Sequence, residues 1–457
     1  MMMRLSEAAI ATHGQLAGAD VAFSAITTDS RKVQAGDLFV ALKGEHFDGH
    51  DFVADCLQRG AVAAVVSSAS RLTPHASLLL VEDTRLALGE LAAYWRAKFA
   101  IPLAAITGSN GKTTVKEMLA AILRQAAGEE AVLATEGNLN NDIGLPLTLF
   151  KLQPSHRFAV AEIGMNHAGE IAYLTRIAQP NVALVNNAGA AHLEGLGSVE
   201  AVARAKGEIF EGLAADGIAV INADDTFAPL WRQLAAPRRV LNFGLEQPAE
   251  VSADYQLLPD GSMLAINTPQ GRIELHLGVP GLHNVRNALA ATAAALAMGA
   301  APATVAAGLE GFGGVKGRLQ RQPGLGGATV IDDTYNANPA SMRAAIGVLA
   351  SQPARRIFVM GDMGELGADA AALHAEIGAL ARQSGIDALY ALGEMSAGAV
   401  QVFGAGARHF DTPEALTVAL KPELRAGVTL LVKGSRFMRM ERVVDLLTER
   451  KETRHAA

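Results

Sequence analysis

The sequence predicts an α/β protein with three domains, and three observations support this prediction. The chain has 457 residues, 50% of them hydrophobic, which is long for a single core and suits about three domains. From residue 101, apolar runs, glycine turns and amphipathic segments alternate, which is typical of a mostly parallel sheet covered by helices. A second alternation of this kind begins near residue 320. We therefore predict domains at residues 1–100, 101–318 and 319–457.

The first domain is predicted from short strand-like runs separated by turn signals. Gly36-Asp37 precedes the apolar run LFVAL, and Asp48-Gly49-His50 marks a later turn. The last helical segment, TRLALGELAAYWRAKF, ends just before Pro102. Because proline disfavours helical geometry in the residue before it, this position is a plausible domain boundary.

The second and third domains are predicted from apolar strands that alternate with helical segments. In the second, the strand candidates are IPLAAIT, FAVAEIG, NVALVNN and GIAVINAD, and TTVKEMLAAIL is a helix with one apolar face. In the third, the strand candidates are TVIDDTY, RIFVMGDM, DALYALG and TLLVKGS. The uncharged stretch from Asn287 to Leu309 is interrupted by Gly299 and Pro302, so it predicts two tightly packed helices rather than a membrane span.

The stretch from Ile106 to Thr114, ITGSNGKTT, looks like a phosphate-binding loop but is shorter than the usual form. The usual loop, G-x-x-x-x-G-K-[ST], would place a glycine where this chain has Ile106. Because the stretch joins a buried strand to a helix, its backbone N–H groups and the helix dipole would converge on an anion. An ordinary glycine-rich turn with a surface lysine is the alternative. The predicted ATP-binding loop comprises Gly108, Ser109, Asn110, Gly111, Lys112, Thr113 and Thr114.

Within this loop, Lys112 would contact the β- and γ-phosphates, and the Thr113 hydroxyl would bind Mg²⁺. Glu162 ends the apolar run FAVAE, and a buried carboxylate requires a partner. Since ligands of open α/β sheets bind at the carboxyl ends of the strands, Glu162 is a candidate Mg²⁺ ligand. The alternative is a carboxylate at a strand end that caps a helix.

Amide and carboxylate groups in two further segments suit a nucleoside. Asn284 and Asn287 lie three residues apart at the start of the alanine-rich helix, where their carboxamides could contact an adenine edge. Alternatively, Asn284 caps the helix and Asn287 is exposed. Asp333, in the segment DDTYNANP, suits ribose hydroxyls, although the segment could be a simple Asx-rich turn.

Five other residues are less informative by type alone. Lys433 and Arg436, in KGSR, follow a strand and form a second candidate anion site. Arg318 lies at the predicted joint between two domains, either as a linker charge or as a group that reaches a phosphate when the domains close. By residue type alone, His192 after a strand and Lys206 on a helix would each be ordinary polar residues.

Composition excludes several classes of protein. A net charge of -7 gives no electrostatic basis for nucleic-acid binding. The single cysteine, Cys56, excludes an internal disulfide framework and suits the reducing cytoplasm. The N-terminal residues MMMRLSEAAIATHGQ lack the apolar core of a signal peptide, so we expect a cytoplasmic protein.

Taken together, the motifs resemble those of the Mur ligases, the ATP-dependent amide-forming enzymes of peptidoglycan synthesis. The motifs run in the family's order across nearly the whole chain: TGSNGKTT, GNLNNDIGLP, AEIGMNH, AHLEGLGS, AKGEIF, GLHNVRNALAA, DDTYNANP and KGSR. Within the family, GNLNNDIGLP, AEIGMNHAGEI and DDTYNANPASM resemble the members that add D-alanyl-D-alanine to UDP-N-acetylmuramoyl-tripeptide. A ligase for a different amino acid, such as that of the preceding step, and a nucleotide sensor that has lost catalysis are the alternatives.

The resemblance implies an N-terminal α/β domain that binds the UDP-sugar, a central mostly parallel ATPase domain and a C-terminal Rossmann-like domain. It also implies residue roles in ATP binding and catalysis. Lys112 would hold the phosphates, and Thr113 and Glu162 would bind one Mg²⁺. His192 would bind a second Mg²⁺ with Lys206, which is carbamylated in relatives, because a carbamate turns a repelled cation into a carboxylate-like ligand.

The remaining implied roles concern the nucleoside and the second substrate. Asn284 and Asn287 would face adenine, Asp333 the ribose and Arg318 the γ-phosphate region. Where some relatives have a lysine two residues after the ribose aspartate, this chain has Tyr335, so Lys433 and Arg436 would supply charge near the acyl phosphate. The expected substrate contacts are Ser30, Arg31, Phe47, Asp48, His50, Asn138, Asn141, Lys433 and Arg436.

The resemblance implies phosphorylation of the tripeptide carboxylate by ATP, followed by attack of the D-alanyl-D-alanine amine on the acyl phosphate. Two Mg²⁺ ions would neutralise charge, and a mobile C-terminal domain would exclude water. We expect a monomer without nucleic-acid partners. The residue types leave open whether the third residue of the tripeptide is diaminopimelate or lysine, and which group deprotonates the amine.

Overall fold

The computed structural model describes residues 1–67, 76–189 and 193–448, and its three main sheets confirm the α/β class. The N-terminal sheet has five strands in the order β2-β7-β6-β5-β4, with β2 antiparallel and the rest parallel. A short antiparallel pair, β1 with β3, lies beside it. The elements are β1 Met3–Arg4, α1 Leu5–Ala11, β2 Gln15–Ala17, β3 Ala22–Phe23, β4 Ala25–Thr27, β5 Asp37–Val40, α2 Val53–Gln58, β6 Ala63–Val66, β7 Leu78–Leu80 and α3 Thr84–Ala97.

The central sheet has six parallel strands in the order β13-β12-β11-β8-β10-β9. The chain leaves β8 and returns to form a strand on each side of it, which makes β8 a topological switch point where ligands bind in open α/β sheets. The elements are β8 Leu103–Thr107, α4 Lys112–Ala127, β9 Val132–Ala134, α5 Gly144–Leu149, β10 Phe158–Glu162, α6 Glu170–Ala178, β11 Val182–Val185, α7 Leu193–Leu196, α8 Val199–Gly207, β12 Ile218–Asn222, α9 Ala228–Ala235 and β13 Arg239–Phe243.

An antiparallel three-stranded sheet follows the central one, and the sequence analysis did not predict it. It consists of β14 Ser252–Leu258, β15 Gly261–Thr268 and β16 Gly271–Leu277. Buried and exposed residues alternate in β16, in the segment GRIELHL, as expected for a strand with one covered face. The covered face contributes Leu264, Ile266, Ile273 and Leu275 to a core shared with α4.

The alanine-rich segment forms two helices, α10 Leu282–Ala297 and α11 Pro302–Glu310, as the sequence predicts. Both pack on α4, and a Cβ on Gly308 would lie 2.4 Å from the Cα of Ile122. The small residues therefore allow close helix contact rather than contact with lipid. Among the described residues, no helix is long and apolar enough to cross a membrane.

The C-terminal sheet has six strands in the order β17-β18-β22-β19-β20-β21, with β17 antiparallel and the others parallel. Apolar clusters cover both of its faces, as a parallel sheet requires. The elements are β17 Gln320–Pro323, β18 Thr329–Asp333, α12 Pro339–Ala350, β19 Arg355–Gly361, α13 Ala370–Gln383, β20 Ala388–Leu392, α14 Ala397–Phe403, β21 Ala407–Phe410, α15 Pro413–Leu420, β22 Val428–Lys433 and α16 Glu441–Leu447.

Candidate active site

One large cavity, of about 1160 Å³, is lined by residues from the start of helix α3 and from the central and C-terminal sheet regions. Its walls include the carboxyl ends of β8 and β10 and, facing them, the start of α12. The predicted site residues that line it are Ser109, Asn110, Gly111, Lys112, Thr114, Asn138, Asn141, Glu162, Lys206, Asn284, Asn287, Arg318, Asp333 and Lys433.

Eight other predicted residues in the described part of the chain do not line this cavity. Gly108 and Thr113 lie directly beside it in the loop, and Thr113 contacts two residues that line it. Arg436 is exposed and forms an ion pair with Glu441 at 2.9 Å. The N-terminal residues Ser30, Arg31, Phe47, Asp48 and His50 lie elsewhere, and His192 lies outside the described residues.

The phosphate loop is held in a backbone conformation that requires glycine. Gly111 has a φ of +80°, and a Cβ there would lie 2.4 Å from Asn287 Oδ1 and 2.5 Å from Asn186 Nδ2. Helix α4 begins at the next residue, Lys112, whose Nζ donates to the Gly108 carbonyl at 2.7 Å. The N-terminal end of α4, with its unpaired N–H groups and positive dipole, is therefore at the cavity wall.

Glu162 is a buried carboxylate whose two oxygens accept hydrogen bonds from neutral groups. Oε2 accepts from the Thr113 hydroxyl at 2.8 Å, and Oε1 accepts from Asn140 Nδ2 at 2.8 Å. The backbone N–H of Glu162 donates to Thr135 Oγ1 at 3.0 Å. The side chain is thus oriented towards the loop, with lone pairs remaining for a cation.

Two lysines that line the cavity have lowered pKa values, and one of them, Lys112, contributes to the shift of the other, Lys206. Burial lowers the pKa of Lys112, and Arg318 lowers it further, while Glu162 opposes these effects. Burial holds the pKa of Lys206 well below its usual range, and the Lys112 cation acts in the same direction. Lys206 is 2% exposed, so its amine has little water to stabilise a charge.

Arg318 approaches the loop from the beginning of the C-terminal sheet. Its Nη2 donates to Thr113 Oγ1 at 3.0 Å, and its guanidinium lies 4.2 Å from the centre of the Tyr335 ring. The Nε atom is buried and has no hydrogen-bond partner among the described residues. Arg318 is therefore held in place by stacking and retains donor capacity towards the cavity.

A chain of asparagine side chains runs from helix α10 to the phosphate loop. Asn287 Nδ2 donates to Asn284 Oδ1 at 3.2 Å, and Asn186 Nδ2 donates to Asn287 Oδ1 at 3.1 Å. Asn186 Nδ2 also donates to the Asn110 carbonyl at 3.0 Å. Asn284 is not the helix cap, because Gly281 occupies that position and Asn284 Nδ2 donates to Pro280 O at 2.8 Å.

At the C-terminal wall, Asp333 and Lys433 form a buried ion pair. Lys433 Nζ lies 2.7 Å from Asp333 Oδ2 and donates to the Asn336 carbonyl at 2.8 Å. Asp333 Oδ1 also accepts from the backbone N–H of Leu319 at 3.2 Å. The neighbouring Asp332 carboxylate accepts hydrogen bonds from Thr334 within its own turn.

The N-terminal wall contains an ion pair that the sequence analysis missed. Arg85 Nη2 donates to Asp142 Oδ1 at 2.9 Å, and both residues line the cavity.

His50, by contrast, forms its hydrogen bonds within the N-terminal sheet region. Its Nδ1 lies 2.6 Å from Asp48 Oδ1, and its Nε2 accepts from the Ser67 N–H. Other missed cavity residues are Asn140, Asn186, Asn187, His283, Tyr335 and Asn338. Two Asn-Asn pairs were the available signal in the sequence: Asn140-Asn141 within GNLNNDIGLP and Asn186-Asn187 at the end of NVALVNN.

The arrangement combines anion-binding and cation-binding groups in one cavity. Lys112, Arg318 and the start of α4 suit phosphate, whereas the Thr113 hydroxyl and the Glu162 carboxylate are oxygen ligands of the kind that Mg²⁺ prefers. Within residues 1–67, 76–189 and 193–448, no group of three or more His, Cys, Asp or Glu forms a metal cluster. A divalent ion here would therefore need oxygens from substrate or water to complete its coordination.

Comparison with protein families gives three matches in chain order. They are the Mur ligase family catalytic domain at residues 22–96, the Mur ligase middle domain at residues 106–295 and the Mur ligase glutamate ligase domain at residues 317–436.

Among characterised proteins, the chain is 44% identical over 452 residues to the UDP-N-acetylmuramoyl-tripeptide–D-alanyl-D-alanine ligase of Escherichia coli K12, covering 97% of this chain and 98% of that protein. It is 36% identical over 433 residues to the Bacillus subtilis protein of the same name, covering 93% of each chain.

Comparison with solved structures also finds Mur ligases. A crystal structure of MurF from Acinetobacter baumannii matches with a TM-score of 0.90 and 38% identity, covering 97% of this chain and 99% of that one. MurF from Thermotoga maritima in complex with ADP matches with a TM-score of 0.83 and 29% identity, covering 92% and 96%. A UDP-N-acetylmuramoyl-L-alanyl-D-glutamate–2,6-diaminopimelate ligase shares the fold, with a TM-score of 0.57 and 19% identity, covering 97% of this chain and 99% of that one.

Proposed function

Since the chain belongs to the Mur ligase family, we propose that it joins D-alanyl-D-alanine to UDP-N-acetylmuramoyl-tripeptide at the expense of ATP. The products are UDP-N-acetylmuramoyl-pentapeptide, ADP and phosphate, and the reaction belongs to peptidoglycan synthesis. The observation that carries the proposal is the single cavity in which the phosphate loop and Glu162 meet the Arg85–Asp142 wall. A nucleotide γ-phosphate and a carboxylate substrate can meet there.

ATP is proposed to lie along the loop and the asparagine chain. The carboxamides of Asn284 and Asn287 face the cavity and can both donate to and accept from an adenine edge. Asp333 is proposed to bind the ribose, and Lys112 and Arg318 the phosphates. The ADP complex of the Thermotoga maritima relative supports nucleotide binding by this fold.

Mg²⁺ fits part of this site directly. Thr113 and Glu162 supply two oxygen ligands 2.8 Å apart, and we propose that they hold one ion. A second ion is proposed at Lys206 and His192. When bound, the ions would neutralise charge on the transferring phosphoryl group.

Lys206 fits a metal only after modification, because an ammonium repels a cation. Its burial favours the neutral amine, which is the form that attacks carbon dioxide to give a carbamate. When the neutral amine adds to carbon dioxide and loses a proton, the resulting carbamate carries a negative charge and supplies two oxygens. We therefore propose that Lys206 is carbamylated in the active enzyme.

The reaction is proposed to proceed in two steps. First, an oxygen of the tripeptide's terminal carboxylate attacks the γ-phosphorus, and the bond between this phosphorus and the β–γ bridging oxygen breaks, which releases ADP. Lys112, Arg318 and the start of α4 would orient the phosphoryl group and stabilise its charge. Then the dipeptide amine attacks the acyl carbon, loses a proton, and expels phosphate as the amide forms.

The remaining assignments follow the same division of the chain. We propose that residues 1–100 bind the UDP-sugar, 101–318 bind ATP and 319–457 close over the site. Asn138 and Asn141 would contact the sugar–peptide portion, and Lys433 would contact the acyl phosphate if it leaves Asp333. We retain Ser30, Arg31, Phe47, Asp48 and His50 as uridine-nucleotide candidates. Arg436 is retained as a candidate to supply charge near the acyl phosphate. A monomeric, cytoplasmic enzyme is also proposed.

The test is phosphate release with ATP, Mg²⁺ and UDP-N-acetylmuramoyl-tripeptide in the presence of different amine substrates. D-alanyl-D-alanine should stimulate release, and mass spectrometry should show the pentapeptide product. Single amino acids, including diaminopimelate and lysine, serve as the comparison. Stimulation by a single amino acid but not by the dipeptide would assign the chain to another Mur step, and no stimulation by any amine would favour a nucleotide sensor. Tripeptides ending in diaminopimelate or lysine identify the preferred substrate.

A further inference from the structure

Asn338 and Asn110 connect the C-terminal sheet to the phosphate loop. Asn338 Nδ2 donates to Asn110 Oδ1 at 2.8 Å, although 228 positions separate the two residues in the chain. Asn110 lies inside the loop, between the end of β8 and the start of α4. Asn338 immediately precedes α12, so this contact joins the two proposed domains at the loop that is proposed to bind the phosphates.

Helix capping determines which end of the Asn338 amide faces the loop. Asn338 is the N-cap of α12, and its Oδ1 accepts from the Ser341 N–H at 2.9 Å. In return, the Asn338 N–H donates to Ser341 Oγ at 3.0 Å. Because the cap uses the oxygen, the amide nitrogen is the atom available to Asn110.

The Asn110 backbone is held by the central sheet instead. Its N–H donates to Asn187 Oδ1 at 2.8 Å, and its carbonyl accepts from Asn186 Nδ2 and Asn187 Nδ2 at 3.0 and 3.1 Å. Only the side chain of Asn110 therefore reaches the C-terminal wall. The hydrogen bond between the side chains of Asn338 and Asn110 therefore links the loop to the start of α12.

We propose that Asn338 is a positioning residue that couples docking of the C-terminal domain to the geometry of the phosphate loop. The proposal rests on the proposed function, because it concerns the phosphoryl-transfer step. In the docked state, the bond to Asn110 orients the loop beside Lys112. In an undocked state, α12 withdraws the donor and the loop loses this constraint, which favours transfer only after the site has closed against water.

If Asn338 acted only as a helix cap, a residue that caps equally well would replace it without loss of kcat. Serine caps helices about as well as asparagine but is too short to reach Asn110. Asn338→Ser therefore removes the contact and keeps the cap. Asn110→Ala removes the same contact from the other side and leaves the backbone hydrogen bonds of residue 110 in place.

The experiment measures kcat, the KM for ATP and the melting temperature of the full-length enzyme for Asn338→Ser, Asn110→Ala and the double variant. We expect kcat to fall about three- to tenfold in Asn338→Ser, the range that one hydrogen bond accounts for. The KM for ATP should stay within about twofold in Asn338→Ser, since this substitution leaves Lys112, Arg318 and Asp333 in place. The double variant should be no slower than Asn110→Ala alone.

Thr412→Ala is the matched control for stability. Thr412 caps α15 in the same proposed domain, with its Oγ1 accepting from the Ala415 N–H at 3.2 Å, and it is exposed and outside the cavity. This variant should lower the melting temperature without lowering kcat.

Three results would overturn the proposal. They are an unchanged kcat in Asn338→Ser, multiplicative losses in the double variant, and a loss of kcat that follows the melting temperature in all variants. Before the variants are measured, the amine substrates described above are tested with the wild-type enzyme, and the amine that supports turnover is used for all variants. A wrong substrate assignment therefore leaves this test intact.

Discussion

Thr113 Oγ1 lies 2.8 Å from Glu162 Oε2 and 3.0 Å from Arg318 Nη2, so one hydroxyl donates to a carboxylate and accepts from a guanidinium. The two partners come from β10 and from the start of the C-terminal sheet. This hydroxyl lies where the proposed metal site and the proposed γ-phosphate site meet. Its removal should therefore affect both.

We expect Thr113→Val to lower kcat by about a hundredfold and to raise the Mg²⁺ concentration needed for half-maximal activity. Valine has a similar shape but supplies no oxygen, and it leaves Glu162 with one fewer donor. Thr113→Ser, which keeps the hydroxyl, should retain kcat within about fivefold. Phosphate release measured over a Mg²⁺ titration gives both parameters. Equal activity of the Val and Ser variants would exclude the hydroxyl from metal binding.

The carbamate proposal for Lys206 predicts chemical rescue. Lys206→Ala should be nearly inactive, because it removes both the carbamate and its negative charge. Formate, acetate or propionate should restore part of the activity, since a short carboxylate can occupy the space left by the lysine side chain. The measurement is phosphate release against carboxylate concentration, with chloride at matched ionic strength as the control. Rescue by chloride to the same extent would count against a specific ligand role.

Local sequence predicted the fold class and the central part of the cavity because strand, loop and helix are consecutive there. The run from Ile106 to Thr114 joins a strand directly to a helix, although the side chains that leave no room for a Cβ at Gly111 belong to Asn186 and Asn287 on other elements. The antiparallel sheet β14–β16 was missed, although β16 carries a clear two-residue alternation. Its neighbour in the chain, β14, is exposed over most of its length and shows no such alternation.

Contacts between distant segments were not predictable in the same way. Arg85 and Asp142 meet across 57 positions, and Asn338 meets Asn110 across 228. No spacing rule connects such residues, because their proximity depends on how separate sheets pack. Asn186 was overlooked for a related reason: its role depends on Asn287, which lies on another element.

Stacking of Tyr335 on Arg318 predicts a requirement for an aromatic ring at this position. Tyr335→Leu should lower kcat by about two- to tenfold, the range expected for loss of one cation–π contact that fixes the guanidinium. Tyr335→Phe keeps the ring and should stay within about twofold of the wild type. The measurement is kcat at saturating substrates for both variants. An equal loss in Phe and Leu would assign the effect to the phenol hydroxyl instead.

The lowered pKa of His283 predicts that the protein loses folding stability in mild acid. Burial lowers its pKa from 6.5 to about 4, with Lys433 and Arg286 lowering it further and Asp333 opposing them. Between pH 4 and 6.5 the unfolded chain therefore binds more protons at this residue than the folded protein does, so stability falls as the pH falls through that window. From pH 7 to 5 this residue should contribute a loss of about 2 kcal/mol. Urea unfolding of the wild type and of His283→Gln at both pH values isolates the contribution, because other titrating groups are common to both proteins. The glutamine variant should lose less stability between the two pH values. Identical losses would mean that His283 titrates normally in the folded protein.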